Sequence, residues 1–166
     1  MMQRSNDGGT PLFRPNLRAC VGEDVRLARA VEESYLEKLA SVAAYTYRSL
    51  MTEEIDCALA EVFDSYAVEE MEHFRLLGDL ILSLGGDPAL RTQVRVTPID
   101  WRRERRKEQD RTVIQLLEEA IREEKRSVER LEVLMGHTED RVVRSLLAYL
   151  ISDGQRHVSC LQDALA

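Results

Sequence analysis

The chain has 166 residues, of which 44% are hydrophobic, and this is enough apolar material for the core of one domain. Its formal net charge of -7 would repel a phosphate backbone, so nucleic acid and anionic membranes are not expected as partners. Three cysteines, Cys20, Cys57 and Cys160, are far apart and form no Cys-x-x-Cys pair, which argues against a zinc knuckle or a rubredoxin-like centre. No segment has the pattern of a signal peptide or a membrane span, and together with reduced thiols this predicts a cytoplasmic protein.

The N-terminal part of the chain changes character near residue 22. Residues 1–21 mix Gly, Pro, Asn and Arg without periodicity, which predicts an N-terminal arm ahead of a single helical domain, 22–166. From about Asp24 to Leu50 apolar residues recur at helical spacing and predict a long first helix. Its apolar stripe consists of Val31, Tyr35, Val42 and Tyr45. Lys38 lies on the same stripe.

A second helix is predicted from about Glu53 to Leu84. Thr52 is a suitable N-cap residue, and acidic residues in the first turn favour the positive end of the helix dipole. The Gly-Gly-Asp-Pro sequence that follows Leu84 predicts its end.

Two more helices follow in the C-terminal half. The third has an apolar stripe interrupted by Glu124 and ends near Gly136. This stripe consists of Ile114, Leu117, Ile121, Val128, Leu131 and Met135. Thr138 is the predicted N-cap of the fourth helix, and Gly154 falls on the inward face of that helix. The other inward positions are Val143, Leu147, Leu150, His157 and Leu161.

The connections predict how the helices are arranged. The first and last are very short, so helices one and two, and helices three and four, should form antiparallel hairpins. The middle connection, residues 87–109, could extend over roughly 70 Å, whereas a 28-residue helix is only about 42 Å long. This predicts an all-α four-helix bundle with a long crossover between helices two and three. Within the crossover, Trp101 and the basic run 102–107 are followed by acidic residues, which favours a solvated loop over a functional basic patch.

Four polar residues fall on the inward faces, and they are the candidate site. Glu70 and His73 are spaced i, i+3, so a carboxylate and an imidazole lie on one face and can reach a single ion. Glu124 and His157 come from helices three and four. Buried carboxylates are costly without positive charge, and this combination of ligands suits iron, manganese or zinc. The alternative for either histidine is a hydrogen-bonded core residue.

Three segments resemble the small bacterial ferritin-like proteins related to rubrerythrin. They are AAYTYRSL in helix one, EEMEHFRLLGDLILSLGGDP in helix two and AIREEKRSVERL in helix three. The resemblance extends from Arg26 onward and implies a ferritin-like bundle. In that family helices one and three each contribute a glutamate, helices two and four each contribute Glu-x-x-His, and the six residues bind two iron or manganese ions. The resemblance therefore implies Glu70, His73, Glu124 and His157 as metal ligands, and a role in iron, oxygen or peroxide handling.

Two positions depart from the family pattern. Lys38 stands where the resemblance implies the helix-one glutamate, although an alignment shifted by one residue would place Glu37 there. Gly154 stands where it implies the helix-four glutamate, and loss of that side chain could leave room for water or a small molecule. Asp153, at i, i+4 from His157, is the alternative ligand on this helix after a local adjustment.

These departures limit the charge that the site can balance. With only Glu70 and Glu124 as carboxylates and Lys38 protonated, two divalent ions would leave a net charge of about +3 in the core. We therefore expect at most one ion per chain, iron or manganese or else zinc. The alternative is a metal-free, non-catalytic bundle in which Lys38 replaces the metal charge, unless its long stem carries the ammonium to solvent.

The resemblance also bears on partners and neighbours of the site. It implies a homodimer, and redox activity would need an external electron donor because the chain has no cysteine-rich electron-transfer module. Whether the protein is an enzyme is left open. Tyr45 and Tyr66 either hydrogen-bond a site carboxylate or serve as core aromatics.

Overall fold

The computed structural model describes residues 17, 22–90 and 112–166. Within these ranges the chain forms four α-helices and no strand, so the predicted fold class is confirmed. The helices are α1 (Val25–Thr52), α2 (Cys57–Ser83), α3 (Val113–Met135) and α4 (Arg141–Leu165). Apart from Leu17, the predicted arm lies outside the described residues, as do residues 91–111 of the crossover with Trp101 and the basic run.

The predicted start of α2 is wrong, because Thr52 belongs to α1. Its hydroxyl donates to the backbone carbonyls of Arg48 and Ser49 in the preceding turn, so it is not available to cap the next helix. The N-cap is Asp56, whose carboxylate accepts a hydrogen bond from the backbone N–H of Leu59.

The end of α2 lies where the Gly-Gly sequence predicts it. Gly85 adopts φ +83°, the left-handed conformation that glycine commonly provides after a helix. The backbone N–H of Gly86 donates to the carbonyl of Ile81 at 2.9 Å, and the N–H of Asp24 donates to the carbonyl of Leu84 at 3.0 Å. The hydrogen bond between Asp24 and Leu84 links the start of α1 to the end of α2, as expected for an antiparallel hairpin.

The second hairpin differs from the prediction at two residues, Thr138 and Ile114. α3 begins with a capping box in which Thr112 and Gln115 each bond the other's backbone N–H. The N-cap of α4 is Asp140 and not Thr138, whose hydroxyl instead accepts from the N–H of Asp140 at 3.2 Å. Ile114 is 58% exposed, so the buried stripe of α3 starts one turn later than predicted.

The two hairpins pack side by side, α1 against α3 and α2 against α4. Arg130 of α3 pairs with Glu33 near the start of α1, and Arg48 near its end pairs with Glu123, so these helices are antiparallel. Because α2 is also antiparallel to α1, α2 and α3 run in the same direction from opposite corners. The long crossover between them accounts for this topology.

The core has two apolar clusters with a polar layer between them. The first cluster surrounds Leu80 and Leu147, and the second surrounds Tyr45 and Phe63. On α2, α3 and α4 the candidate site residues fall between the positions that form these clusters, and on α1 Lys38 does so. None of the four described helices contains an apolar stretch able to cross a membrane.

Candidate metal centre

All four predicted site residues are buried in the polar layer. Glu70 and His157 are 0% exposed, His73 is 1% exposed and Glu124 is 3% exposed. The i, i+3 spacing on α2 places His73 Nδ1 at 3.1 Å from Glu70 Oε1. Periodicity therefore placed these residues correctly on the inward faces.

Three of the four converge closely enough for one ion. His157 Nδ1 lies 3.3 Å from Glu124 Oε1 and 3.9 Å from Glu70 Oε1. One ligand atom from each of these residues lies within 4.8 Å of the others. Since ligand atoms about 2.1 Å from a shared ion are separated by at most about 4.2 Å, small side-chain shifts would let all three bind one ion. His73 is not part of this group, and its Nδ1 lies against Glu70 Oε1.

Lys38 enters the same layer, as its position on the α1 stripe predicts. It is 1% exposed, and its Nζ lies 2.9 Å and 3.1 Å from the two oxygens of Glu70. The ammonium therefore does not reach solvent. Burial lowers the pKa of Lys38, but Glu70 and Glu124 more than offset this, so its pKa is raised. Glu37 lies off the inward face, 24% exposed and 3.7 Å from Arg130 Nε.

A carboxylate outside the converging group holds the outer nitrogen of each histidine. His73 Nε2 lies 3.0 Å from Asp153 Oδ2, and His157 Nε2 lies 2.8 Å from Glu69 Oε2. Arg156 pairs with both of these carboxylates. Asp153, the alternative ligand on α4, thus lies against His73 and is not one of the three converging residues.

These outer contacts are only weakly indicated by helical periodicity. Glu69 and Asp153 each precede an inward position by one residue, which rotates them about 100° to the edge of the seam between α2 and α4. Periodicity assigns such residues to a boundary, but it does not identify the partner across the seam.

The comparison with known families agrees with this architecture. A sequence model of the ferritin-like domain matches residues 36–166. The chain belongs to the ferritin-like family. A comparison with curated proteins gave no match.

In this ferritin-like chain, the position of Gly154 is not open space. A Cβ built on Gly154 would lie 2.7 Å from Val128 Cγ2, which is closer than packed carbon atoms approach, and 3.6 Å from Glu124 Oε2. Valine is stiff at χ1 and cannot easily swing away. The expectation that Gly154 leaves room for water or a small molecule is therefore wrong at the Cβ position, and a glutamate there would require Val128 to move.

The charges in the layer balance when both histidines are protonated. Each histidine lies between two carboxylates, so both ring N–H groups can donate only in the imidazolium form. Burial lowers the pKa of His157, but Glu124 and Glu69 outweigh it and raise the pKa to about 9. Burial also lowers the pKa of His73, but Asp153 and Glu70 outweigh this effect, so its pKa is raised. Four carboxylates then face four cations. The carboxylates are Glu69, Glu70, Glu124 and Asp153, and the cations are Lys38, His73, His157 and Arg156.

Two tyrosines border the site in different ways. The Tyr45 hydroxyl donates to Glu124 Oε1 at 2.6 Å, so it hydrogen-bonds a site carboxylate. Tyr66 stacks on His157 with ring centroids 3.9 Å apart. Glu124 Oε2 is buried and has no hydrogen-bond partner among the residues that the structure describes. Such an orphaned carboxylate oxygen is available to a ligand.

Proposed function

We propose that this ferritin-like protein binds one divalent metal ion per chain. Glu70, Glu124 and His157 would be the ligands, with His73 as a fourth. The observation that carries the proposal is the convergence of three buried ligand atoms from three different helices. Carboxylate oxygen and imidazole nitrogen suit iron, manganese and zinc.

The surroundings of these residues also fit an ion. Within the described ranges no group hydrogen-bonds the buried Glu124 Oε2, although its neighbour Oε1 receives a hydrogen bond from Tyr45. Glu69 and Asp153 hold the outer nitrogens of the histidines, which leaves each Nδ1 directed towards a site glutamate. Ligand histidines commonly use an outer carboxylate in this way to set the ring orientation and tautomer.

Charge favours one ion over two. A histidine that binds metal is neutral, so the two protons of the imidazolium pair are exchanged for the two charges of one divalent ion. The layer then stays neutral, with Lys38 and Arg156 completing the balance. A second divalent ion would add two uncompensated charges in the core, and Lys38 and Gly154 supply no ligand for it.

Iron or manganese bound here would supply redox chemistry, and zinc would supply Lewis acidity alone. The chain's own residues would orient the ligands and exclude water, since apolar clusters close the layer on both sides. The proposal includes a role in iron or peroxide handling, kinship with rubrerythrin, an external electron donor, a cytoplasmic location and a homodimer. These parts are supported by the resemblance and by composition.

A second candidate is a metal-free, non-catalytic ferritin-like bundle. The observation that favours it is the buried pair of Lys38 and Glu70 at 2.9 Å, together with an outer carboxylate on each histidine. In this candidate the ammonium takes over the charge of the metal, and the layer would serve fold specificity or partner binding.

Titration calorimetry of chelator-treated protein separates the two candidates. Mn²⁺, Zn²⁺ and, without oxygen, Fe²⁺ are titrated into wild type, Glu124→Gln and the control Glu129→Gln, which changes an exposed residue of the same helix. We expect Glu124→Gln to weaken binding about 100-fold or more and the control to bind as wild type does. Absence of binding to wild type would favour the metal-free candidate, and unchanged binding by Glu124→Gln would place the ion elsewhere.

A further inference from the structure

We propose that Lys38 makes this centre selective for divalent over trivalent ions. The inference rests on the proposed function and adds the charge class of the ion that the site accepts. A specificity role is distinct from simple replacement of a lost ligand, because the ammonium would act while an ion is bound.

The contacts of Lys38 keep its charge beside the ion. Its Nζ touches both oxygens of Glu70, and Glu70 is also one of the three converging ligands. Lys38 and Glu70 are each at most 1% exposed, so the ammonium cannot be moved to solvent without rebuilding the layer. One carboxylate therefore faces both a fixed cation and the bound ion.

The low exposure of the layer makes this charge effective. Water and salt screen charges at a surface, but they screen buried charges much less. In the same position, Lys38 repels a trivalent ion about 1.5 times as strongly as a divalent ion. The layer is neutral with one divalent ion, whereas a trivalent ion leaves one uncompensated positive charge.

The charge of Lys38 also affects the oxidation state of a redox-active metal bound at this centre. The same repulsion that disfavours a trivalent ion favours the ferrous over the ferric form of bound iron. Selectivity of this kind suits binding or supply of divalent ions better than turnover through a trivalent state.

The test compares affinities for Mn²⁺ and for Ga³⁺, a trivalent ion without redox chemistry under these conditions. Gallium is supplied as its nitrilotriacetate complex, which keeps it in solution, and both affinities are measured by competition with that chelator. The variants are Lys38→Met, which removes the charge and keeps the length, and Lys38→Gln, which can still hydrogen-bond Glu70. The control is Lys125→Met, which removes the same charge from an exposed position next to Glu124 in sequence.

We expect Lys38→Met and Lys38→Gln to shift the ratio of Ga³⁺ to Mn²⁺ affinity upward by about tenfold or more, and Lys125→Met to shift it by less than about twofold. A variant is included in the comparison only if its circular dichroism and thermal transition show a folded bundle. One folded Lys38 variant is sufficient to test the selectivity. An unchanged ratio would overturn the selectivity while leaving the metal site intact. Failure of wild type to bind Mn²⁺ or Zn²⁺ would instead overturn the proposed function itself.

Discussion

The apolar ends of the bundle and its polar middle layer are buried to the same degree but are held by different forces. Leu80 and Leu147 are 0% exposed in the first apolar cluster, and Glu70 and His157 are 0% exposed in the layer. Apolar burial is non-directional, so its contribution follows the area removed from water. The layer depends on pairs of opposite charges with defined geometry. Because both members of a pair are buried, each would be strongly unfavourable without the other.

Substitutions in the apolar ends and in the polar layer should therefore have different consequences. Loss of a leucine leaves a cavity that neighbouring side chains can partly fill. Loss of one charge in the layer leaves its partner buried and unpaired, which costs about 3–5 kcal/mol. The ends therefore hold the bundle together, and the layer determines which ion or proton it accepts.

The largest effect is expected from Glu70→Gln in the metal-free protein. The substitution removes the charge that faces Lys38, and breaking a buried pair in this way costs about 3–5 kcal/mol. Urea unfolding followed by circular dichroism measures it. Glu72→Gln, which removes an exposed pair with Arg75 on the same helix, should change the free energy of unfolding by less than about 1 kcal/mol. Similar values for the two variants would contradict the account of the layer.

A comparable loss of stability, without loss of metal binding, is expected from Leu147→Ala. The side chain is fully buried in the first apolar cluster, and such truncations cost about 2–5 kcal/mol. Because it lies outside the layer, the affinity of the folded variant for Mn²⁺ should stay within about twofold of wild type. A large change in affinity at this position would show that the ends and the layer are not separable.

A smaller effect is expected from pH on the metal-free protein. The pKa of His157 is raised from 6.5 to about 9 in the fold, so its stabilising contribution is complete below pH 6.5 and is lost as the pH rises to 9. We expect the free energy of unfolding to fall by on the order of 1–3 kcal/mol between these limits.

Unfolding curves at several pH values test this dependence in wild type and in two variants. His157→Gln should flatten the profile, whereas His137→Gln, which changes an exposed turn residue, should leave it as in wild type. A wild-type profile that rises from pH 6.5 to 9 would show that His157 is neutral in the fold.

The smallest effect is expected at Gly154. Glycine to alanine within a helix normally stabilises by up to about 1 kcal/mol, but here the new methyl group would meet Val128 Cγ2 at 2.7 Å. We expect Gly154→Ala to destabilise by about 1–2 kcal/mol. In a Val128→Ala background the same substitution should be neutral or stabilising, and a double-mutant cycle measures the coupling. If the two substitutions had independent, additive effects on stability, contact with Val128 would not explain why position 154 is a glycine.

The inward faces were predictable from sequence because helical periodicity reports burial directly. Lys38 was placed correctly by its spacing from Tyr35 and Tyr45, against the alternative of Glu37. The helix starts were less predictable. Threonine is a common N-cap, but Thr52 bonds its own helix, and an aspartate a few residues further along makes the cap.

The connections within the layer could not be predicted in the same way. Glu69, Asp153 and Arg156 lie at the seam between two helices, and their partners depend on how those helices are rotated and shifted against each other. The contact between Gly154 and Val128 likewise depends on the distance between α3 and α4. Such features follow from packing geometry and leave no periodic signal in the sequence.

The central claim is that the polar layer accepts one divalent ion per chain. The most direct test is elemental analysis of protein purified without a chelator or an affinity tag, repeated after reconstitution with iron, manganese and zinc. We expect close to one ion per chain after reconstitution. A value close to two would contradict the charge balance around Lys38, and a value close to zero would contradict metal binding at this layer.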